Sequence, residues 1–425
     1  MRNSEYFKNK KITIVGLARS GVACANLLHG LGAILSITDI KDDSQTRRAA
    51  RDLCSSEILV QLGKHSQDFI KHADLVVISP GVPADAEPIK WAVKFNKLVI
   101  SEIEVASILC PAQIIAVTGS NGKTTVTTLI GKVLTEAKKN VFVCGNIGNP
   151  FCKEVQRIEE SDFVVLEVSS FQLETIKDFK PQIALILNFT PNHLDRYNNM
   201  QEYLNAKKRI FMNQDKDDFL ILNAIDPLLK DIENKVKSKV IFFDITKGLN
   251  SNQSAVFCVG KILGINKELM FKVFSEFKGI QHRMEELDQI NNIRFINDSK
   301  ATTADSAIWA IKNINTPIIL IAGGRHKGID YQVILEAARG KVKQVILIGE
   351  AKEKIASDLG GEFPIEMVFS LEDAVNKAYV CALPGYSILF SPMCSSFDMF
   401  IDYQDRGRVF KKIVSELALK INSHG

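Results

Sequence analysis

Residues 114–125 read Ile114-Ile115-Ala116-Val117-Thr118-Gly119-Ser120-Asn121-Gly122-Lys123-Thr124-Thr125. The apolar run is a buried parallel strand. A long helix-forming run, Val126 to Ala137, follows the glycines. A strand that ends in glycines and opens a helix is built to hold phosphate. The glycines let backbone N–H groups reach the oxygens, and the helix N-terminus adds a favourable dipole. Lys123 would reach the outer phosphates and the Thr124 hydroxyl would ligate Mg²⁺. The spacing is G-x-x-G-K-T; Val117 stands where the first glycine of the longer phosphate-loop pattern would fall. Gly-Lys pairs also occur in ordinary surface turns, so the strand before and the helix after carry the phosphate reading.

Upstream, Lys11 to Val15 is a strand that runs into Gly16-Leu17-Ala18-Arg19-Ser20-Gly21 and a helix through Leu31. A second strand, Ala33 to Thr38, ends at Asp39. This opens a Rossmann-like unit in which Asp39 is placed for a ribose hydroxyl. Ala18 takes the position of the second fingerprint glycine, which speaks against a nicotinamide dinucleotide. A third strand, Leu75 to Ile78, ends in Ser79-Pro80-Gly81-Val82-Pro83, a tight turn at the sheet edge where ligands gather.

Downstream, Val141 to Val143 is a strand followed by Cys144-Gly145-Asn146-Ile147-Gly148. Phe163 to Leu166 is a buried strand ending at Glu167. Alone, Glu167 reads as a strand-end carboxylate facing water; beside a phosphate loop it is a natural Mg²⁺ partner. Ile183 to Leu187 is another buried strand, followed by the segment that contains His193. Met200 to Met212 is an amphipathic helix whose Lys207, Lys208 and Arg209 read, by pattern alone, as a solvated face. Leu263 to Lys278 reads as a helix broken at Gly279. A third alternation of strands and helices follows, with a glycine turn at Gly323-Gly324-Arg325-His326-Lys327-Gly328 and a last helix from Arg406. The expected domains are 1–103, 104–279 and 280–425.

The 425 residues suffice for about three domains. A net charge of +4 is too small and too dispersed to argue for nucleic acid. The eight cysteines form no C-x-x-C pair and read as buried thiols in a reducing compartment. With neither a secretory h-region nor an uninterrupted apolar span, a cytoplasmic protein without membrane attachment is expected.

Three consecutive α/β domains, the middle one opened by G-x-x-G-K-T, resemble the Mur ligases of peptidoglycan synthesis along the whole chain. The motifs are Thr118 to Thr125, Gly145-Asn146-Ile147-Gly148, Glu167-Val168-Ser169-Ser170-Phe171-Gln172-Leu173 and His193-Leu194-Asp195-Arg196-Tyr197. Ala206-Lys207, His282-Arg283, Asn297-Asp298-Ser299-Lys300-Ala301-Thr302 and Ser391-Pro392 complete them. The resemblance implies an N-terminal Rossmann-like domain, a central P-loop ATPase-like parallel sheet and a C-terminal Rossmann-like domain. Within the family the motifs look most like the branch that adds D-glutamate to UDP-N-acetylmuramoyl-L-alanine, using ATP and Mg²⁺, as a monomer.

The resemblance also implies roles. Leu17, Asp39 and Ser79 would hold the UDP end, and Asn146 and His193 the muramoyl-alanine part. Gly119, Ser120, Asn121, Gly122, Lys123, Thr124, Thr125, Asn252, Arg283 and Asp298 would meet ATP. Thr124, Glu167, His193 and a carbamylated Lys207 would hold the metal, with Lys123, His193 and Lys207 serving the chemistry. Thr302, Lys327, Ser396, Phe397 and Tyr403 would bind D-glutamate. The chain departs from the family pattern at a shortened asparagine run, where Asn252 alone keeps its place, and at His326, where a small or acidic residue is common. The rival readings are a sister ligase or folylpolyglutamate synthase, a nicotinamide-dependent oxidoreductase, and a nucleotide-binding regulator without catalysis.

Overall fold

Three runs of apolar strands, each alternating with helices, build three sheets. The computed structural model describes residues 2–83, 85–190, 196–197, 199–233, 236–244, 248–326, 328 and 330–422. The first sheet holds β1 (Lys11–Val15), β2 (Ile34–Asp39), β3 (Leu59–Leu62), β4 (Leu75–Ile78) and β5 (Leu98–Ser101). Its order is β3-β2-β1-β4-β5, all parallel. The second holds β6 (Gln113–Thr118), β7 (Val141–Gly145), β8 (Phe163–Glu167), β9 (Ile183–Ile186), β10 (Phe219–Asn223) and β11 (Lys239–Phe243). These run parallel in the order β11-β10-β9-β6-β8-β7. The third holds β12 (Glu285–Glu286), β13 (Arg294–Asn297), β14 (Ile318–Gly323), β15 (Val342–Ile348), β16 (Ile365–Met367) and β17 (Ser387–Phe390). Its order is β12-β13-β17-β14-β15-β16, parallel except for the antiparallel edge pair β12–β13.

The chain divides into two compact units, 1–277 and 278–425. The first two sheets belong to one unit because they share a core. Cys24 and Leu28 of helix Arg19–Gly30, Ile103 and Ala106 of helix Glu102–Leu109, and Phe151 and Cys152 are buried in one cluster with Ile12 and Ala116. Two carboxylates are drawn into this core. Glu102 accepts from the Cys152 amide at 2.6 Å, and Glu104 accepts from the amides of Lys177, Asp178 and Phe179 at 2.7–3.0 Å. Burial pushes the Glu102 carboxyl up to about 7.

The stretch expected as one helix from Leu263 to Lys278 is differently built. Helix Ser251–Ile262 ends at a turn in which Gly264 has φ +66°, and helix Lys267–Glu276 restarts after Asn266 caps it. Ser251–Ile262 is rich in small and β-branched residues of modest helix propensity. A reciprocal cap between Asn250 and Gln253, and burial of Ala255, Val256 and Val259 with the helix that follows the glycine loop, hold it instead. Among the described residues no helix is long and apolar enough to cross a membrane.

Candidate active site

β6 delivers the chain to Gly119 (φ +154°) and Gly122 (φ +81°), and helix Lys123–Glu136 begins at once, with Gly122 as its N-cap. A side chain at Gly122 would come within 2.6 Å of Asn252 Oδ1, so the asparagine that keeps its place in the shortened run sits against this loop. The loop is braced from the end of β9. Asn188 accepts from Asn121 N at 2.8 Å and donates to Asn121 O at 3.0 Å, while its carbonyl accepts from Ser120 N at 3.1 Å. Ser120 Oγ donates to Thr190 O at 3.0 Å. The pattern had not singled out Asn188; its signal was a polar residue just after a buried strand of the same sheet.

Lys123 Nζ donates to Gly119 O at 2.8 Å and to Ser120 O at 2.9 Å. Lys207 Nζ reaches the same Gly119 carbonyl at 3.0 Å and lies 4.6 Å from the centre of the Tyr203 ring. The solvated-face reading of Lys207 is overturned, because its side chain is only 1% exposed. Burial, and secondarily the Lys123 charge, hold its ammonium well below the usual lysine range. A buried amine with no carboxylate partner among the described residues favours its neutral form.

Glu167, at the end of β8, is buried and accepts from Asn146 Nδ2 at 2.7 Å through Oε1. Its Oε2 is buried with no hydrogen-bond partner among the described residues. An orphaned carboxylate oxygen and the buried Thr124 side chain offer hard oxygen donors of the kind Mg²⁺ takes. Among the described residues no cluster of three His, Cys, Asp or Glu side chains could hold a metal by itself. His193 and Lys327 lie outside the described residues.

In the first sheet the sequence-selected residues come together at the carboxyl edge. Asp39 Oδ2 accepts from Leu17 N at 2.7 Å, and Ser79 Oγ donates to Gly16 O at 2.9 Å. Asp39 also accepts from Lys41 N at 2.9 Å, so its carboxylate shapes the loop as well as facing the edge. Arg19 donates to Gly148 O, joining this loop to the one that carries Asn146.

In the second unit Asp298 follows β13 and is 4% exposed. It accepts from Ser391 Oγ at 2.9 Å and from Met284 N at 3.2 Å, beside Arg283, and burial pushes its carboxyl up to about 7. Thr302 lies on the loop after Asp298, Ser396 is buried on the loop after β17, Phe397 beside it is 47% exposed, and Tyr403 opens the last helix. Met393 N donates to Ala301 O at 2.9 Å and Ser299 Oγ to Tyr403 O at 2.9 Å, so the loops carrying Thr302, Ser396 and Tyr403 are stitched together.

A glycine turn between a parallel strand and a helix, two lysines converging on one carbonyl and an orphaned carboxylate nearby define a phosphate-binding α/β enzyme. Known proteins narrow this further. Residues 10–101 match the Mur ligase MurD-like N-terminal domain, 117–286 the Mur ligase middle domain and 282–394 the Mur ligase, glutamate ligase domain. The UDP-N-acetylmuramoylalanine–D-glutamate ligase of Geotalea uraniireducens is 40% identical over 443 residues, covering 96% of this chain and 98% of that protein. The enzyme of the same name from Thermoanaerobacter pseudethanolicus is 38% identical, covering 96% and 99%. Among solved structures, the UDP-N-acetylmuramate-alanine ligase MurC of Thermotoga maritima shares the fold with TM-score 0.57 at 20% identity, covering 96% of this chain and 100% of that one. The MurF ligase of Thermotoga maritima, solved with ADP, does so with TM-score 0.55 at 14% identity, covering 98% of each. The chain belongs to the Mur ligase family.

Proposed function

We propose that this chain is the cytoplasmic, ATP-dependent ligase that joins D-glutamate to UDP-N-acetylmuramoyl-L-alanine in peptidoglycan precursor synthesis. The observation that carries the reading is the glycine loop with Lys123 and Lys207 both on the Gly119 carbonyl, next to a buried glutamate. Such a site serves a reaction in which several anions must meet. Relatives that share over a third of their residues with this chain, along nearly its whole length, carry the name of that ligase.

The alanyl carboxylate attacks the γ-phosphorus of ATP. One P–O bond forms, the bond to ADP breaks, and an acyl phosphate results. The amine of D-glutamate, having lost its ammonium proton, adds to the acyl carbon; the tetrahedral adduct then gives up a second N–H proton, and its collapse expels phosphate and leaves the amide. Phosphorylation is needed because oxide is too poor a leaving group for an amine to displace. Lys123 neutralises charge on the transferred group, and the loop amides at the helix start orient it. Domains 1–103, 104–279 and 280–425 would take the UDP moiety, ATP and the amino acid respectively. By the family resemblance Thr302, Lys327, Ser396, Phe397 and Tyr403 are assigned to the amino acid and Arg283, Asp298 and Asn252 to ATP, and the enzyme works as a monomer.

Mg²⁺, when bound, screens the phosphate oxygens; Thr124, Glu167, His193 and Lys207 would hold it. For Lys207 this requires a carbamate, formed when the neutral amine adds to CO₂ and releases a proton. Its burial, with no carboxylate partner among the described residues, supports that chemistry. The deciding experiment is phosphate release with ATP, Mg²⁺ and UDP-N-acetylmuramoyl-L-alanine across a panel of amino acids. D-glutamate should stimulate release and the others should not; stimulation by another amino acid alone would make this a sister ligase.

A further inference from the structure

The largest fully buried side chain among the described residues is Arg406, 1% exposed, on the first turn of helix Tyr403–Asn422. Among the described residues, all of its hydrogen bonds go to neutral oxygens. Nε donates to Ser299 Oγ at 3.0 Å, Nη1 to Cys394 O at 3.1 Å, and Nη2 to Ser299 O at 2.8 Å and Cys394 O at 3.1 Å. No carboxylate among the described residues lies within ion-pair distance; Asp398, whose charge acts on the guanidinium from farther off, accepts from Glu350 N at 3.0 Å. The glycine turn after β14 closes the other side. A Cβ on Gly324 would stand 3.2 Å from Arg406 Nη1 and 2.4 Å from Ser395 O. Four segments therefore meet at one guanidinium: the loop after β13, the turn after β14, the loop after β17 and the helix start.

Burying a charge with only neutral partners is costly. Neutral acceptors could have been satisfied by a neutral donor. A guanidinium is retained where its planar fork fixes several backbones at once, or where an anion completes the charge balance. Three of the loops it ties carry Thr302, Ser396 and Tyr403, and a D-glutamate substrate brings two carboxylates.

We propose that Arg406 is the positioning residue of the amino-acid pocket: it holds the Thr302, Ser396 and Tyr403 loops in register and supplies fixed positive charge that favours an amino acid with an acidic side chain. The inference rests on the assignment of those three residues to D-glutamate. Its test is steady-state phosphate release by the full chain, with wild type, R406Q and R406K, varying D-glutamate, D-glutamine and ATP in turn. R406Q should raise KM for D-glutamate about tenfold and narrow its preference over D-glutamine, while kcat and KM for ATP stay within about twofold; R406K should recover part of both losses. Equal shifts in kcat and every KM, or an unchanged KM for D-glutamate, would overturn it. Should R406Q fail to fold, S299A removes the hydroxyl between Nε and Tyr403 O and should raise KM for D-glutamate about threefold, an unchanged KM again overturning the inference. Wild type that ignores D-glutamate altogether would instead refute the proposed function.

Discussion

Two buried basic side chains, Lys207 beside the glycine loop and Arg406 in the second unit, are alike in burial and differ in chemistry. Each is 1% exposed and, among the described residues, hydrogen-bonded only to neutral oxygens. Burial drives the Lys207 ammonium far below its usual range, whereas Arg406 is lowered only to about 10 and stays charged. An ammonium on a flexible stem can shed its proton and become a nucleophile; a delocalised guanidinium cannot. The first unit thus holds a group prepared to change, and the second unit a group built to stay as it is.

That contrast can be broken. The largest effect is expected from K123A, which removes the cation serving the transferred phosphate and should lower D-glutamate-dependent ADP release by about 10³-fold. Next comes Lys207. K207R carries a fixed positive charge and cannot form a carbamate, so K207R and K207A should both fall by on the order of 10²-fold, with short carboxylates rescuing K207A in part. Activity in K207R close to wild type would remove the distinction between the two side chains. R406K, by comparison, should keep more function than R406Q, because fixed charge is what that position supplies.

The smallest effect is on stability. Glu102 is raised from 4.5 to about 7 by burial, so the folded chain keeps a proton that the unfolded chain has released. Its favourable contribution is complete below about pH 4.5 and is lost as the pH rises through 7. E102Q cannot ionise. Its unfolding free energy relative to wild type should therefore improve between pH 5 and pH 8, by on the order of 2 kcal/mol in denaturant titrations. A difference that does not change with pH would show that Glu102 is not the source of the slope.

Local chemistry made some of this legible and left the rest hidden. Gly119, Gly122 and Lys123 are readable because a positive φ and a helix start impose residue types within a few positions of one another. Asp39 and Ser79 were readable as strand-end polar groups at a sheet edge. Helix Ser251–Ile262 was not, since a cap and a buried face hold it where propensity is modest. Asn188 was missed because its bond to Asn121 crosses from one strand end to another, 67 residues apart.

From sequence alone came the alternation of strand and helix, the phosphate loop and the family, because each is written in short-range pattern. Which lysine is buried, where Glu167 points its orphaned oxygen and what Arg406 binds were settled only in three dimensions. Desolvation is a property of everything packed around a charge, and the atoms that bury Lys207 and Arg406 come from segments tens to more than a hundred residues away.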